Sequence, residues 1–210
     1  MQNEHRDAEP VKSILAELGL MTVGTEQAWA VTSPDNVYRY VLGRMWDDYF
    51  FDGDWKDGPV PPRPLWVFGM INPSTARGVK PDGTPDNDPT VRKCHGFSRR
   101  GGAGGFLVVN MLAYSAADPD DVVKAHRAGV DVRGPHNEAA LRWALSRPSL
   151  LGRHVAAWGR IPPKLRSVTQ YGINQFNCSK PDCFGLTKEG FPKHPLMLGY
   201  GTPIVRLSEL

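Results

Sequence analysis

Three short apolar runs, each closed by turn-forming residues, punctuate the chain: Leu65 to Ile71, Phe106 to Val109 and His154 to Trp158. Runs of this length and punctuation are how the central strands of a sheet read. Helical signals lie between them. Asp88-Pro89 and Asp118-Pro119 each set an N-cap aspartate before a proline at the first helical position, predicting helices over Pro89 to Arg100 and over Pro119 to about Ala128. Asn137 to Ser146 carries Leu141 and Leu145 on one face and predicts a third. Near the N-terminus Val11, Ile14, Leu15 and Leu18 recur at helical spacing before Gly19, predicting a short amphipathic helix inside an extension over residues 1–29. Val37 to Met45 alternates apolar and polar residues, which predicts a strand with one wet face. The Asp-, Gly- and Pro-rich Asp47 to Pro64 predicts a loop, and Cys183 to Leu186 a last short strand. Gly101 to Gly105 precedes a strand, so it reads as a helix stop and tight turn rather than a phosphate cradle. Strands alternating with helices predict a three-layer α/β/α domain over residues 30–210, with a central, mostly parallel sheet and right-handed crossovers.

Composition narrows the setting. With 210 residues, 40% of them hydrophobic and 22% charged, the chain can bury a substantial core. No apolar run approaches the roughly 18 residues of a membrane span, and the polar start MQNEHRDAEP is unlike a secretory signal, so a cytoplasmic location is expected. Cys94, Cys178 and Cys183 are too few, and odd in number, for a disulfide framework. The C-x4-C pair lacks the further ligands that a zinc or iron–sulfur site needs, so neither a metal nor a cofactor is expected. A net charge of +3 permits nucleic-acid binding without requiring it.

Candidate chemistry sits where the predicted strands end. Asn72, Asn110 and His194 each occupy the first turn after a predicted parallel strand, and in open α/β sheets such turns gather at one edge where ligands bind. An Asn amide offers donors and an acceptor on one short arm and so matches a nucleobase edge, although amides and sugars suit it too. The competing reading is that each asparagine caps its own turn. His194 can donate to an atom gaining negative charge or can be a plain turn residue. Phe97, on the helix after the first loop, is either core or an aromatic platform.

The segments AVTSPDNVYRYVLGRMW, INPSTA, NDPTVRKCHGFSRR, GGFLVVNMLAY, HVAAWG and GLTKEGFPKHPLML together resemble a bacterial and phage family, domain of unknown function 1643. MINPS, GGFLVVNMLAY and KHPLML are also similar, more distantly, to motifs of the uracil-DNA glycosylase superfamily. That second resemblance implies a glycosylase-like fold and gives the residues roles. Asn72 falls on the water-positioning Asn, Asn110 on the base-reading Asn, Phe97 on the aromatic that stacks on a flipped base, and His194 on the His that stabilises the departing base anion. Ile71 and Pro73 would line the base pocket. Ser74 stands where the motif has Gly, Leu196 replaces a phosphate-contacting Ser, and the carboxylate of the uracil-specific motif is absent. Asp88 is a conceivable base, with helix capping as its competing role. Ser74, Thr75, Arg77, Lys80, Arg99 and Lys193, near the same turns, are the phosphate-binding candidates.

The expectation is therefore an enzyme that cleaves the N-glycosidic bond of a damaged or modified base, with DNA or a nucleotide as partner. Two alternatives stand beside it: a base-binding or DNA-modifying protein on the same fold that leaves the bond intact, and a nucleoside- or nucleotide-binding enzyme.

Overall fold

The computed structural model describes residues 21–24, 28–46, 63–76, 78–146 and 151–210. The helix expected at Val11 to Leu20, most of the Asp47 to Pro64 loop, and Arg77 lie outside the described residues. Eight strands form one mixed sheet: β1 (Met21–Gly24), β2 (Ala28–Thr32), β3 (Arg39–Met45), β4 (Leu65–Met70), β5 (Gly105–Asn110), β6 (Leu151–Ala156), β7 (Asp182–Cys183) and β8 (Val205–Arg206), in the order β1-β2-β3-β5-β4-β6-β7-β8. The central strands β5, β4, β6 and β7 run parallel. Antiparallel strands extend both edges, β3 to β1 beyond β5 and β8 beyond β7. Among the described residues four helices pack on it: α1 (Pro89–Arg100), α2 (Pro119–Arg127), α3 (Asn137–Leu145) and α4 (Arg166–Cys178).

Side-chain alternation along the central strands splits the core in two. Trp66, Phe68, Phe106 and Val155 join Val91, Cys94 and Phe97 of α1 on one face. Val67, Leu107, Val109 and Ala156 join Val122 of α2, Leu141 of α3 and Phe176 of α4 on the other. Both proline-led helices begin where their caps place them: Asp88 accepts from Val91 N at 2.7 Å, and Asp118 from Asp120 N at 2.9 Å.

Several expectations need correction. The strand read over Val37 to Met45 begins at Arg39 and has no wet face, because β2 and β5 flank it and both its faces are covered. Its two arginines turn inward and bond chiefly to main-chain carbonyls. Arg44 donates to Asn87 Oδ1, Gly43 O and Asp86 O, each at 2.7 Å, and burial pushes its guanidinium down to about 10. The third central strand lies at Leu151–Ala156 rather than His154 to Trp158, which leaves Trp158 beyond the strand end. The last parallel strand is only Asp182–Cys183, with Leu186 in an isolated bridge to Pro192. Helix α4 carried no recognisable start signal, since Leu165 at its N-cap offers no side-chain hydrogen bond. It packs closely nonetheless: a Cβ on Gly172 would stand 2.8 Å from Met111 Sδ, and one on Gly69 of β4 would stand 2.6 Å from the Phe176 ring.

A candidate cleft at the carboxyl ends of the parallel strands

The turns after β4, β6 and β7, together with the N-termini of α1 and α2, enclose a cleft of about 350 Å³. Ile71, Asn72, Ser74, Asp88 and His194 all line it. Five of the residues singled out from sequence thus come together.

Asn72 follows β4 and its amide has a fixed orientation. Nδ2 donates to Pro73 O at 3.1 Å and to Ala116 O at 2.9 Å, tying the loop after β4 to the loop after β5. Ala116 N returns a bond to Pro73 O at 3.0 Å. With both amide hydrogens spent on carbonyls, Oδ1 is left as an acceptor that no described residue engages. Pro73 itself is buried and serves this brace through its carbonyl.

Asp88 is doubly engaged. One oxygen caps α1, and the other accepts from the Ser74 hydroxyl, which also receives Ala76 N at 3.3 Å. The carboxylate brings negative charge to the cleft, yet its readiest lone pairs are already occupied.

His194 starts a 3-10 turn, Pro195–Met197, and its Nδ1 accepts from Leu196 N at 3.4 Å. That bond makes Nε2 the protonated nitrogen of a neutral ring. Burial lowers the ring's pKa below its usual value and outweighs the opposing pull of Asp88, so the neutral form dominates at physiological pH. Gly159, just past β6, holds the turn in place. Its N–H donates to Pro192 O at 3.0 Å, its φ is +67°, and a Cβ there would lie 3.1 Å from His194 Cβ.

Other expected site residues do not reach the cleft. Asn110 is fully buried at the end of β5, in register with Met70, and it is Met70 that lines the cleft. Neither Oδ1 nor Nδ2 of Asn110 has a hydrogen-bond partner, while its carbonyl accepts from Asn137 Nδ2 at 3.0 Å. Phe97 sits in the core, its ring 4.4 Å from Phe184 and 5.2 Å from Tyr200, because the face of α1 that carries it turns toward the sheet. Thr75, Lys80 and Arg99 are exposed and Lys193 is half-buried, all outside the cleft lining. Arg99 lies at the far end of α1 from Asp88. Arg77 is outside the described residues.

Two arginines that sequence patterning did not single out do line the cleft. Arg39 is 4% exposed at the start of β3 and donates to Ala76 O. Arg160, exposed after β6, bonds to no described residue. Arg39 lies within the AVTSPDNVYRYVLGRMW segment and Arg160 just after HVAAWG, but neither motif gave them a role; the strand order β3-β5-β4-β6 brings them to one place. Among the described residues, the charged side chains lining the cleft are Arg39, Arg160 and the Asp88 carboxylate. Among the described residues no group of three His, Cys, Asp or Glu is placed to hold a metal ion, and no helix is long and apolar enough to cross a membrane.

A family model described as Protein of unknown function (DUF1643) matches residues 39–196, which include every described cleft residue named above. No curated protein and no solved structure matches the chain.

Proposed function

The chain belongs to the DUF1643 family, whose description assigns no reaction, and from the cleft we propose that it processes a nucleobase, most simply by hydrolysing the N-glycosidic bond of a damaged or modified base on a uracil-DNA glycosylase-like fold. The observation that carries this reading is the pairing in one cleft of an acceptor with no partner among the described residues, Asn72 Oδ1, and a neutral imidazole donor, His194 Nε2. Those are the two groups a dissociative hydrolysis needs: one to hold water, one to receive charge on the leaving base.

In that reaction the bond between the sugar carbon and the base nitrogen breaks with its electron pair going to the base. His194 stabilises the resulting anion by donating from Nε2. Asn72 Oδ1 holds a water whose oxygen bonds to the sugar carbon, and the proton it sheds ends on the freed base. Asp88, with its oxygens engaged, contributes negative charge opposite the developing sugar cation rather than acting as the proton acceptor. The cleft volume of about 350 Å³ lies at the small end of ligand sites, roughly 300–1,000 Å³, and suits one extruded nucleotide better than a duplex. Arg160, exposed at the rim, suits a flanking phosphate. Leu196, 37% exposed, and Met197, 89% exposed, put an apolar tip beside the cleft that suits holding a base stack open.

The test is release of free base from single- and double-stranded oligonucleotides carrying uracil, hydroxymethylated and glycosylated pyrimidines and mismatches, and from the free nucleosides. Release from oligonucleotides supports the reading. Its absence alongside salt-dependent binding favours a protein that recognises the base and leaves the bond intact, the alternative to which the engaged Asp88 oxygens point.

Two substitutions probe the site's construction. Gly159→Ala should cost about 1–2 kcal/mol, because a left-handed backbone penalises a side chain. It should also lower turnover more than the loss of folded protein accounts for, since the new methyl group presses on His194; thermal unfolding and turnover on one preparation measure both effects. Asn110→Leu should raise stability by about 1–3 kcal/mol by removing a buried amide without partners, which calorimetry reads. Weaker base binding despite that gain would assign the amide to ligand recognition.

A further inference from the structure

Helix α1 starts at the cleft, where Asp88, Thr90 and Val91 line it, and runs outward for 12 residues, about 18 Å. Arg92 and Arg99, and likewise Lys93 and Arg100, are seven positions apart, so they form two parallel rows along the helix, each spanning about 10 Å. No acidic residue lies on the helix between Pro89 and Arg100. None of the four cations pairs with a carboxylate of any described residue; Arg92 donates to Asn87 O at 2.7 Å and Lys93 to Leu198 O at 2.5 Å.

Aromatic rings stand among these cations. Tyr200, 37% exposed, lies over Gly96, where a Cβ would stand 2.3 Å from its ring, with the Arg100 guanidinium 4.1 Å and the Lys93 ammonium 4.7 Å from its centroid. Half-buried Trp46 has the Arg99 guanidinium 5.5 Å from its ring centroid and the His95 ring centroid at 4.8 Å, with the two rings at 66°. The segment carrying Tyr200 descends from the His194 turn, so the strip is continuous with the cleft wall. Uncompensated cations alternating with aromatic faces match a flexible polyanion that carries planar groups. A duplex keeps its bases stacked inside and has no use for the rings.

We propose that the outer face of α1, with Tyr200 and Trp46, is a track for single-stranded nucleic acid leading into the cleft. This rests on the nucleobase reading of the cleft but concerns a separate surface, one that binding measures without any base release.

The experiment is fluorescence anisotropy of the full chain with a labelled single-stranded DNA oligonucleotide across a salt series. Wild type is compared with the double variant Arg99→Ala, Arg100→Ala and with a control of equal charge loss away from the strip, Arg127→Ala, Arg142→Ala. For single strands each lost phosphate contact lowers the slope of log affinity against log salt by about 0.7, so the strip variant should lose about 1.4 and the control nothing. Tyr200→Leu should weaken binding about 5- to 150-fold with an unchanged slope, as expected for a stacking contact of about 1–3 kcal/mol. An unchanged slope in the strip variant, an equal fall in the control, or tighter binding of duplex than of single strand would overturn the track. Base release without these effects would leave the cleft reading standing and remove only the track.

Discussion

Replacing His194 by alanine is expected to lower base release by about 10²- to 10³-fold, the usual loss when one donor to a developing anion is removed. The substitution should scarcely touch the fold, because the ring makes a single hydrogen bond, from Leu196 N at 3.4 Å, in a surface turn. Binding of an uncleavable oligonucleotide should persist. Acid should mimic the substitution. Protonating Nδ1 destroys the acceptor that meets Leu196 N–H and sets two donors face to face, so activity should be level at neutral pH and decline on the acid side of 6.5. Stability should follow the same direction. Burial lowers the folded-state pKa, so the unfolded chain binds more protons as pH falls below 6.5, and the stability present above that value is lost as pH drops through the folded pKa. A pH profile of turnover beside thermal unfolding at each pH checks both. Full turnover by the alanine variant would remove His194 from the chemistry.

Asn72→Ala is expected to fail differently. Turnover should fall about 10²-fold through loss of a positioned water. Stability should fall as well, because two hydrogen bonds to the carbonyls of Pro73 and Ala116, at about 0.5–1.5 kcal/mol each, disappear together. For a chain of this size that is a drop of roughly 2–10 °C in Tm. Asn72→Asp sharpens the contrast: it keeps an acceptor but points a carboxylate oxygen at two carbonyls, so it should be the less stable of the two variants. Calorimetry of wild type and both variants, with turnover measured below the lowest Tm, separates bracing from chemistry. An alanine variant as stable as wild type would show that the two loops do not need the brace.

What could be read from the chain follows from how local each signal is. Asp88-Pro89 and Asp118-Pro119 fix their helices within four residues of themselves, and both helices begin there. The apolar runs ending at Ile71 and Asn110 needed only their own composition to read as buried strands. Helix α4 went unread because it has no side-chain cap and its glycine answers to Met111, a residue remote in sequence. The site divides along the same line. Asn72 follows its strand directly and reaches the cleft, and His194 reaches it from a longer excursion after Cys183; Arg39, at the start of an antiparallel strand, reaches it only through strand order, which no local pattern encodes. Phe97 shows the converse: its spacing on α1 was legible, but whether that face met solvent or Phe184 depended on how the helix was laid on the sheet.

The connection between β7 and β8 gives the molecule a particular capacity for change. Cys183 and Val205 are paired across neighbouring antiparallel strands, and Asp182 holds Arg153 at 2.9 Å and Arg206 at 3.3 Å, so the chain leaves the sheet and returns at a pinned base. The excursion between β7 and β8 bears Lys193, His194, the Met197 tip and Tyr200. A surface excursion tolerates insertion and exchange far better than the strands that anchor it. Substitutions and length changes at its exposed positions, residues 188–190 and 196–197, can therefore retune what the cleft accepts while Phe184 keeps the segment anchored in the core, which makes these tips the natural place for redirecting the protein toward a different ligand.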